Sequence, residues 1–482
     1  MEDGSMEDGS MEDGSSGSAS SNGSTGAMTD QPAPTNVTTI AGNRSVGVEW
    51  DAVENATEYR VHWSMRPGFD LSTADSMDVD RPAFVHRGLT NGTTYYYVVK
   101  ALRSGALGEP SNEVSEVPDG EWVLEELGTG MFDDVVTGAP TPRIDVAERV
   151  HVLLFAEGYV DAELGAFHDD IDHEGDRDND VDRWVDEVFS LEPYSLFSDA
   201  FVVWYIPRPS NTDIRDSSPD TAFRVPVDAS GSFALTGNIQ SDGETAMLAW
   251  QALDTFPFPP DDFTSVGFGT VRKLTASFLI FDPQYGRASV SGRALSLRNP
   301  VDDDQRLSAA FGVGHAHEFS HAFAGLRDEY MENDNSLPQY SPTSNVTPSA
   351  TCSQLPWAHL LAGRGINSTE QLVGAFGLPM LGYHAELLCL MNGTHDNAEY
   401  YGGSGLLRVD DRLCNFCREL VAYRIFHRAG VLDGDTAFDT WSTQYRDPFY
   451  ETYGFMVPEV VPQTNDVDSP ASGDPVYEAC TP

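Results

Sequence analysis

The stretch LSAAFGVGHAHEFSHAFAGLRDEY, residues 307–330, decides how the chain reads. The Ala-rich run from Leu307 to Leu326 predicts a helix. Within it, His317-Glu318-Phe319-Ser320-His321 sets two imidazoles four residues apart, one turn above each other, where both reach a single cation. Glu318 projects about 100° from His317, so its carboxylate reaches water at the ion without ligating it. This is the HExxH zinc arrangement: the ion acidifies water and polarises a carbonyl, and the Glu takes the proton and returns it to the leaving amine. Phe319, Ala322 and Phe323 give the helix an apolar face, and Gly325 offers it an end. A catalytic zinc needs a third protein ligand. Asp328, just past the helix-ending Gly, is the first candidate, with Glu329, His384, His395 and Glu386 as alternatives. His315, about 200° from His317, reads as structural or exposed. Tyr330 and Tyr400 are candidate donors to an oxyanion, against a plain packing role.

Upstream, apolar segments at Val150 to Phe155, Phe201 to Ile206 and Ala276 to Phe281 alternate with helical patterns near Ala162 to Phe167, Arg183 to Phe189 and Glu244 to Thr255. That alternation predicts a mixed α/β sheet covered by helices. Downstream, the chain reads as irregular up to a helix at Asp411 to Ala429.

The string HEFSHAFAGLRDEY resembles the active-site signature of the IgA Peptidase family of metallopeptidases. "LLFAEGYVDAELGAFHDDI" is similar to that family's opening strand and helix, and "LFSDAFVVWYIPRPS" to its second strand, with Val202 a departure. The resemblance spans roughly Val150 to Ala429 and implies a metzincin-like zinc metallopeptidase. In metzincins the third ligand stands ten residues after the first His; here Asp328 stands eleven after, so the loop is one residue longer. The same resemblance implies that Met391, in "CLMNG", supports the metal from a turn below it; otherwise it is an ordinary core methionine.

The five cysteines lie in the last third of the chain. In an exported protein Cys414 and Cys417 would close a small disulfide loop and Cys352 would pair with Cys389, leaving Cys480 odd. The rival reading joins Cys352, Cys389, Cys414 and Cys417 in a structural zinc site. Asp176, Asp178, Asp180, Asp182 and Glu187 fall at EF-hand-like offsets, but Val181 occupies the turn position that needs Gly. A solvated acidic loop is the default there and Ca2+ the alternative.

Nearer the start, "VEWDAVENATEYRVHWS" and "LTNGTTYYYVVKALRSGALGEPSNEVS" show short period-two strands and resemble a fibronectin type III domain. The resemblance makes Trp50 its core tryptophan and Tyr95 its corner tyrosine. The expected organisation is therefore multi-domain. A linker of MEDGS repeats and Ser/Gly covers 1–33, an all-β sandwich 34–118, and a second linker 119–145. The α/β (α+β) catalytic domain covers 146–432 and an extension, disordered at its end, 433–482.

Composition bounds the partners. With 76 Asp plus Glu against 28 Lys plus Arg, the net charge of -48 repels phosphate backbones and anionic lipid. Only Lys100 and Lys273 are lysines, as suits either a salt-tolerant surface or Arg-rich codon usage. No run approaches the ~18 apolar residues of a membrane span. The expectation is an extracellular or cell-surface zinc endopeptidase acting on protein or peptide, although no signal peptide is visible before the MEDGS repeats. The rivals are a non-catalytic adhesin with a decayed peptidase domain and a zinc amidase acting on cell-wall peptides. Oligomeric state and cleavage specificity are not legible.

Overall fold

The computed structural model describes residues 32–128, 144–168, 179–212, 214, 216–226, 239–258, 274–280, 289–291, 294–298, 314–329, 339–349, 351–361, 373–378, 382–386, 389–392 and 412–456. The MEDGS repeats, Asp176, Asp178, Tyr330, His395, Tyr400 and Cys480 lie outside them.

Strands β1 (Thr38–Gly42), β2 (Ser45–Glu49) and β5 (Ala83–His86) form one antiparallel sheet. The facing sheet runs β4 (Asp75–Val79), β3 (Glu58–Ser64), β6 (Tyr95–Arg103), β7 (Ala106–Pro110), and β8 (Val114–Glu116) also pairs with β6. Alternate residues turn inward: Val46, Val48 and Trp50 from one side meet Tyr59, Val61, Tyr97 and Val99 from the other. The Tyr95 hydroxyl accepts a bond from the Thr90 N–H at 3.2 Å, which makes it the corner tyrosine of the sandwich.

The larger unit is built on a six-stranded mixed sheet. Its order is β13 (Ser289–Ser291), β14 (Ala294–Arg298), β12 (Leu274–Ile280), β10 (Val150–Glu157), β11 (Phe201–Ile206), β9 (Val123–Leu127). The inner four strands are parallel and the two edges antiparallel. Period-two alternation splits β10 and β11 between two cores. Leu153, Phe155, Val202 and Trp204 pack with Ala249, Ala252 and Leu253 of the helix Ile239–Leu253. Val152, Leu154, Val203 and Tyr205 share the other core with Phe319 and Phe323 of the helix Gly314–Ala324. Helices on both faces of a largely parallel sheet are the mixed α/β architecture that the strand–helix alternation led us to expect.

Two expectations need correction. The segment 119–145 is not all linker, because β9 pairs with β11 and carries the sandwich onto the sheet. Trp122 is buried and its indole N–H donates to the Ala252 carbonyl at 2.8 Å. Leu124 and Leu127 lie in one core with Ile40 and Ala83, and a side chain at Gly47 would collide with Leu124. Glu49 of β2 and Arg149 form a buried ion pair at 3.0 Å. Second, the stretch read as irregular after Leu326 holds an antiparallel sheet of β15 (Val346–Thr347), β17 (Gly382–Glu386) and β16 (Val373–Leu378). Within the extension, the helix Arg446–Tyr453 buries Phe449 and Tyr450, with Trp441, in the same core as Phe426; its end, expected to be disordered, lies outside the described residues.

The shared core makes the sandwich and the sheet one cooperative unit. Trp122→Ala should cost ~3–5 kcal/mol and split a single calorimetric unfolding transition into two; two transitions already present in the parent protein would contradict this coupling.

Candidate metal centre

The helix Gly314–Ala324 is held by its apolar side. Phe319 packs edge-on to Trp184 (5.1 Å between centroids) and against Tyr194 (5.3 Å), and Phe323 lies against Phe201 (5.3 Å). Residues two positions away point to the opposite side, which is where His317 and His321 stand. Gly325 adopts φ 70°, and its N–H bonds to the His321 carbonyl at 2.9 Å, ending the helix in the left-handed conformation that glycine accepts without strain. The chain then doubles back, and Asp328 comes under the two imidazoles.

Three atoms converge. His317 Nε2 and His321 Nε2 are 3.1 Å apart, and each is 3.1 Å from Asp328 Oδ1. Tetrahedral ligands ~2.0–2.1 Å from a zinc ion lie ~3.3 Å from one another, so this triangle fits one. Both Nδ1 atoms are engaged elsewhere: His317 Nδ1–H donates to the Leu390 carbonyl at 2.8 Å, and His321 Nδ1–H to the Leu326 carbonyl at 2.6 Å. Those bonds fix the tautomers and leave the Nε2 lone pairs for a ligand. Side-chain exposure rises from 4% at His317 to 13% at His321 and 24% at Asp328, so the centre opens to solvent on one side. Glu318 is partly exposed and close enough for its charge to act on His321.

Without an ion the cluster holds a proton instead. Burial disfavours charge on His321, but the hydrogen bond and charge of Asp328, with Glu318 beyond, outweigh it and raise the His321 pKa to about 9. Burial likewise favours a neutral Asp328, but its close polar contacts with His317 and His321 prevail and hold it well below the usual carboxylate range.

Of the other candidate third ligands, Glu329, His384 and Glu386 are buried away from the triangle. Glu329 Oε1 accepts from Asn345 Nδ2 at 2.9 Å, its Oε2 meets His384 Nδ1 at 3.3 Å, and Glu386 accepts from Asn415 at 2.8 Å. His315 pairs with Glu187 rather than joining the cluster. Met391 is buried in the turn Leu390–Asn392, and its carbonyl accepts the Glu329 N–H at 2.7 Å. That turn also supplies the carbonyl that orients His317.

The disulfide expectations are corrected. Cys389, Cys414 and Cys417 are free buried thiols, so Cys352, which is disulfide-bonded, is paired with none of them. Cys352 sits at the core rim, whereas the bond from the Leu390 N–H to the Arg412 carbonyl (2.8 Å) draws Cys389 to the helix start at Cys414. The calcium reading loses its described half as well. Asp180 and Asp182 stand in the first turn of the helix Asp180–Phe189, where Asp180 accepts from the Tyr159 hydroxyl at 2.6 Å and Asp182 from Asn179 at 2.7 Å. A helix cannot wrap those carboxylates around one ion.

Sequence reading missed Asn345. Its amide receives the Arg327 N–H at 2.8 Å and donates to the Arg327 carbonyl at 2.7 Å, clamping the loop that carries Asp328. An Asn in a Pro/Ser/Asn-rich stretch carries no sequence signal of that role.

Residues 31–117 match the family Fibronectin type III domain and are such a domain. Three solved structures resemble part of the chain. The FN1–FN3 domains of chicken CNTN1 are 19% identical, covering 18% of this chain and 32% of that one, with TM-score 0.17. An Fn3-like protein from Clostridium thermocellum is 25% identical over 19% and 97% of the two chains, also at 0.17. The fn3 domain of human contactin 1 is 21% identical over 22% and 93%, again at 0.17. No curated protein sequence matches the chain. Among the described residues no helix is long and apolar enough to cross a membrane.

A cation held by these three atoms would have to displace the His321 proton, so the affinity for added zinc should rise ~10-fold per pH unit through neutrality and level off above about pH 9. In the metal-free protein the raised pKa contributes stability fully present below ~6.5, the ordinary His value, and lost as pH rises through about 9. Competition titrations with a chromophoric chelator check the first; a pH-independent affinity would contradict the proton's place in the site.

Proposed function

We propose that this chain is a zinc-dependent endopeptidase acting on protein or peptide substrates outside the cell or at its surface. The observation that carries this reading is the convergence of His317 Nε2, His321 Nε2 and Asp328 Oδ1 beside Glu318 on a solvent-open face. The likeness of HEFSHAFAGLRDEY to the IgA Peptidase signature supports it, as does the burial of Met391 in the turn whose Leu390 carbonyl orients His317.

A zinc ion held by His317, His321 and Asp328 would supply Lewis acidity toward a carbonyl and would acidify water. His317 and His321 offer Nε2 because backbone carbonyls hold their Nδ1 protons. Asp328 offsets part of the cation's charge. The Glu318 carboxylate accepts a proton from the water that attacks the peptide carbonyl and delivers it to the leaving amine nitrogen. The fibronectin type III domain, fixed to the sheet through Trp122 and the Glu49–Arg149 pair, acts as a spacer.

Zinc content and casein hydrolysis, measured together on the parent protein and Glu318→Ala, test this. The variant should keep its zinc and lose at least ~100-fold in rate, the usual worth of a general base. Equal rates would refute the role of Glu318. Cleavage of muropeptides with casein untouched would favour the amidase, and a zinc-loaded parent inert toward both would favour a binding protein.

A further inference from the structure

Three of the five cysteines meet at a point the peptidase chemistry does not use. Cys389 immediately precedes the turn Leu390–Asn392. Cys414 caps the start of the helix Asn415–Arg428, and Cys417 lies in its first turn. Glu329 follows Asp328 but turns inward, away from the imidazoles. One ligand atom from each of Glu329, Cys389, Cys414 and Cys417 lies within 4.8 Å of the other three, and all four side chains are buried.

The contacts are those of a metal cradle. The Cys417 thiol is 3.3 Å from Glu329 Oε1. Backbone N–H groups of Cys414 and Cys417 donate to Cys389 Sγ at 3.2 Å and Cys414 Sγ at 3.4 Å. Amide donors and a helix N-terminus both favour thiolate over thiol. Four groups that ionise to anions, sealed from water at this separation, repel one another unless protons or a cation intervene.

We propose that Glu329, Cys389, Cys414 and Cys417 form a second, structural zinc site. Three thiolates select a soft ion such as zinc, and four protein ligands without solvent access make a closed centre. The His317 centre, by contrast, is open. Asn345 and His384 hold the Glu329 carboxylate from behind, as outer partners of a ligand do. The ion joins the loop after the motif helix, the Leu390–Asn392 turn and the last long helix. It thereby braces both Asp328 and the carbonyl that orients His317.

This inference does not depend on peptidase activity, and its test separates the two. Full-length His317→Ala/His321→Ala protein should retain one zinc per chain, against two in the parent. An organomercurial that titrates thiols should release that ion from it, and cobalt in its place should show a thiolate-to-metal charge-transfer band. Cys414→Ser/Cys417→Ser should lose the band and melt at lower temperature; where it does not fold, the mercurial release from the double-His variant decides alone. A disulfide among Cys389, Cys414 and Cys417, or no zinc in the double-His variant, would overturn the proposal.

Discussion

Two adjacent carboxylates, Asp328 and Glu329, must point in opposite directions. The constraint begins at Gly325, whose φ of 70° stops the motif helix and reverses the chain. From there Asn345 grips Arg327 on both its N–H and its carbonyl, and the Met391 carbonyl takes the Glu329 N–H. Asp328 is left facing the imidazoles and Glu329 the thiols. A side chain that could not adopt this conformation at position 325 would disturb both clusters at once.

The sheet explains why the clusters sit where they do. β10 and β11 are buried on both faces, so their alternate residues feed two cores. One core receives the motif helix by Phe319 and Phe323, turning the His face toward Asp328. The other receives the sandwich through Trp122 and Leu124. The aromatic residues 441–450 then back the helix Asn415–Arg428, whose start brings Cys414 and Cys417 against Cys389. The polar centres are thus held by apolar packing, and their own hydrogen bonds set orientation more than position.

Much of this was legible in the sequence because its signals are local. The i, i+4 histidines, the helix-ending Gly325 and the apolar strands at Val150 and Phe201 each follow from spacing, and the corner tyrosine Tyr95 from the likeness to a fibronectin type III domain. Pairings between distant segments were not. Cys389 and Cys414 stand 25 residues apart, and nothing in their spacing places Glu329 as the fourth member. β9 hides within an acidic VLEEL segment in which only alternate packing contacts reveal a strand. The helical spacing of Phe438, Trp441, Tyr445 and Phe449 is visible in retrospect, but an acidic, Pro-rich end beside it masked the pattern.

The central claim is that one loop serves two metal centres of different kind. Anomalous diffraction from a crystal of the full chain, recorded on both sides of the zinc absorption edge, tests it most directly. We expect one peak bounded by His317, His321 and Asp328 and a second enclosed by Glu329, Cys389, Cys414 and Cys417. Zinc-loaded crystals with neither peak, or with Asp328 and Glu329 turned to the same side, would contradict the account.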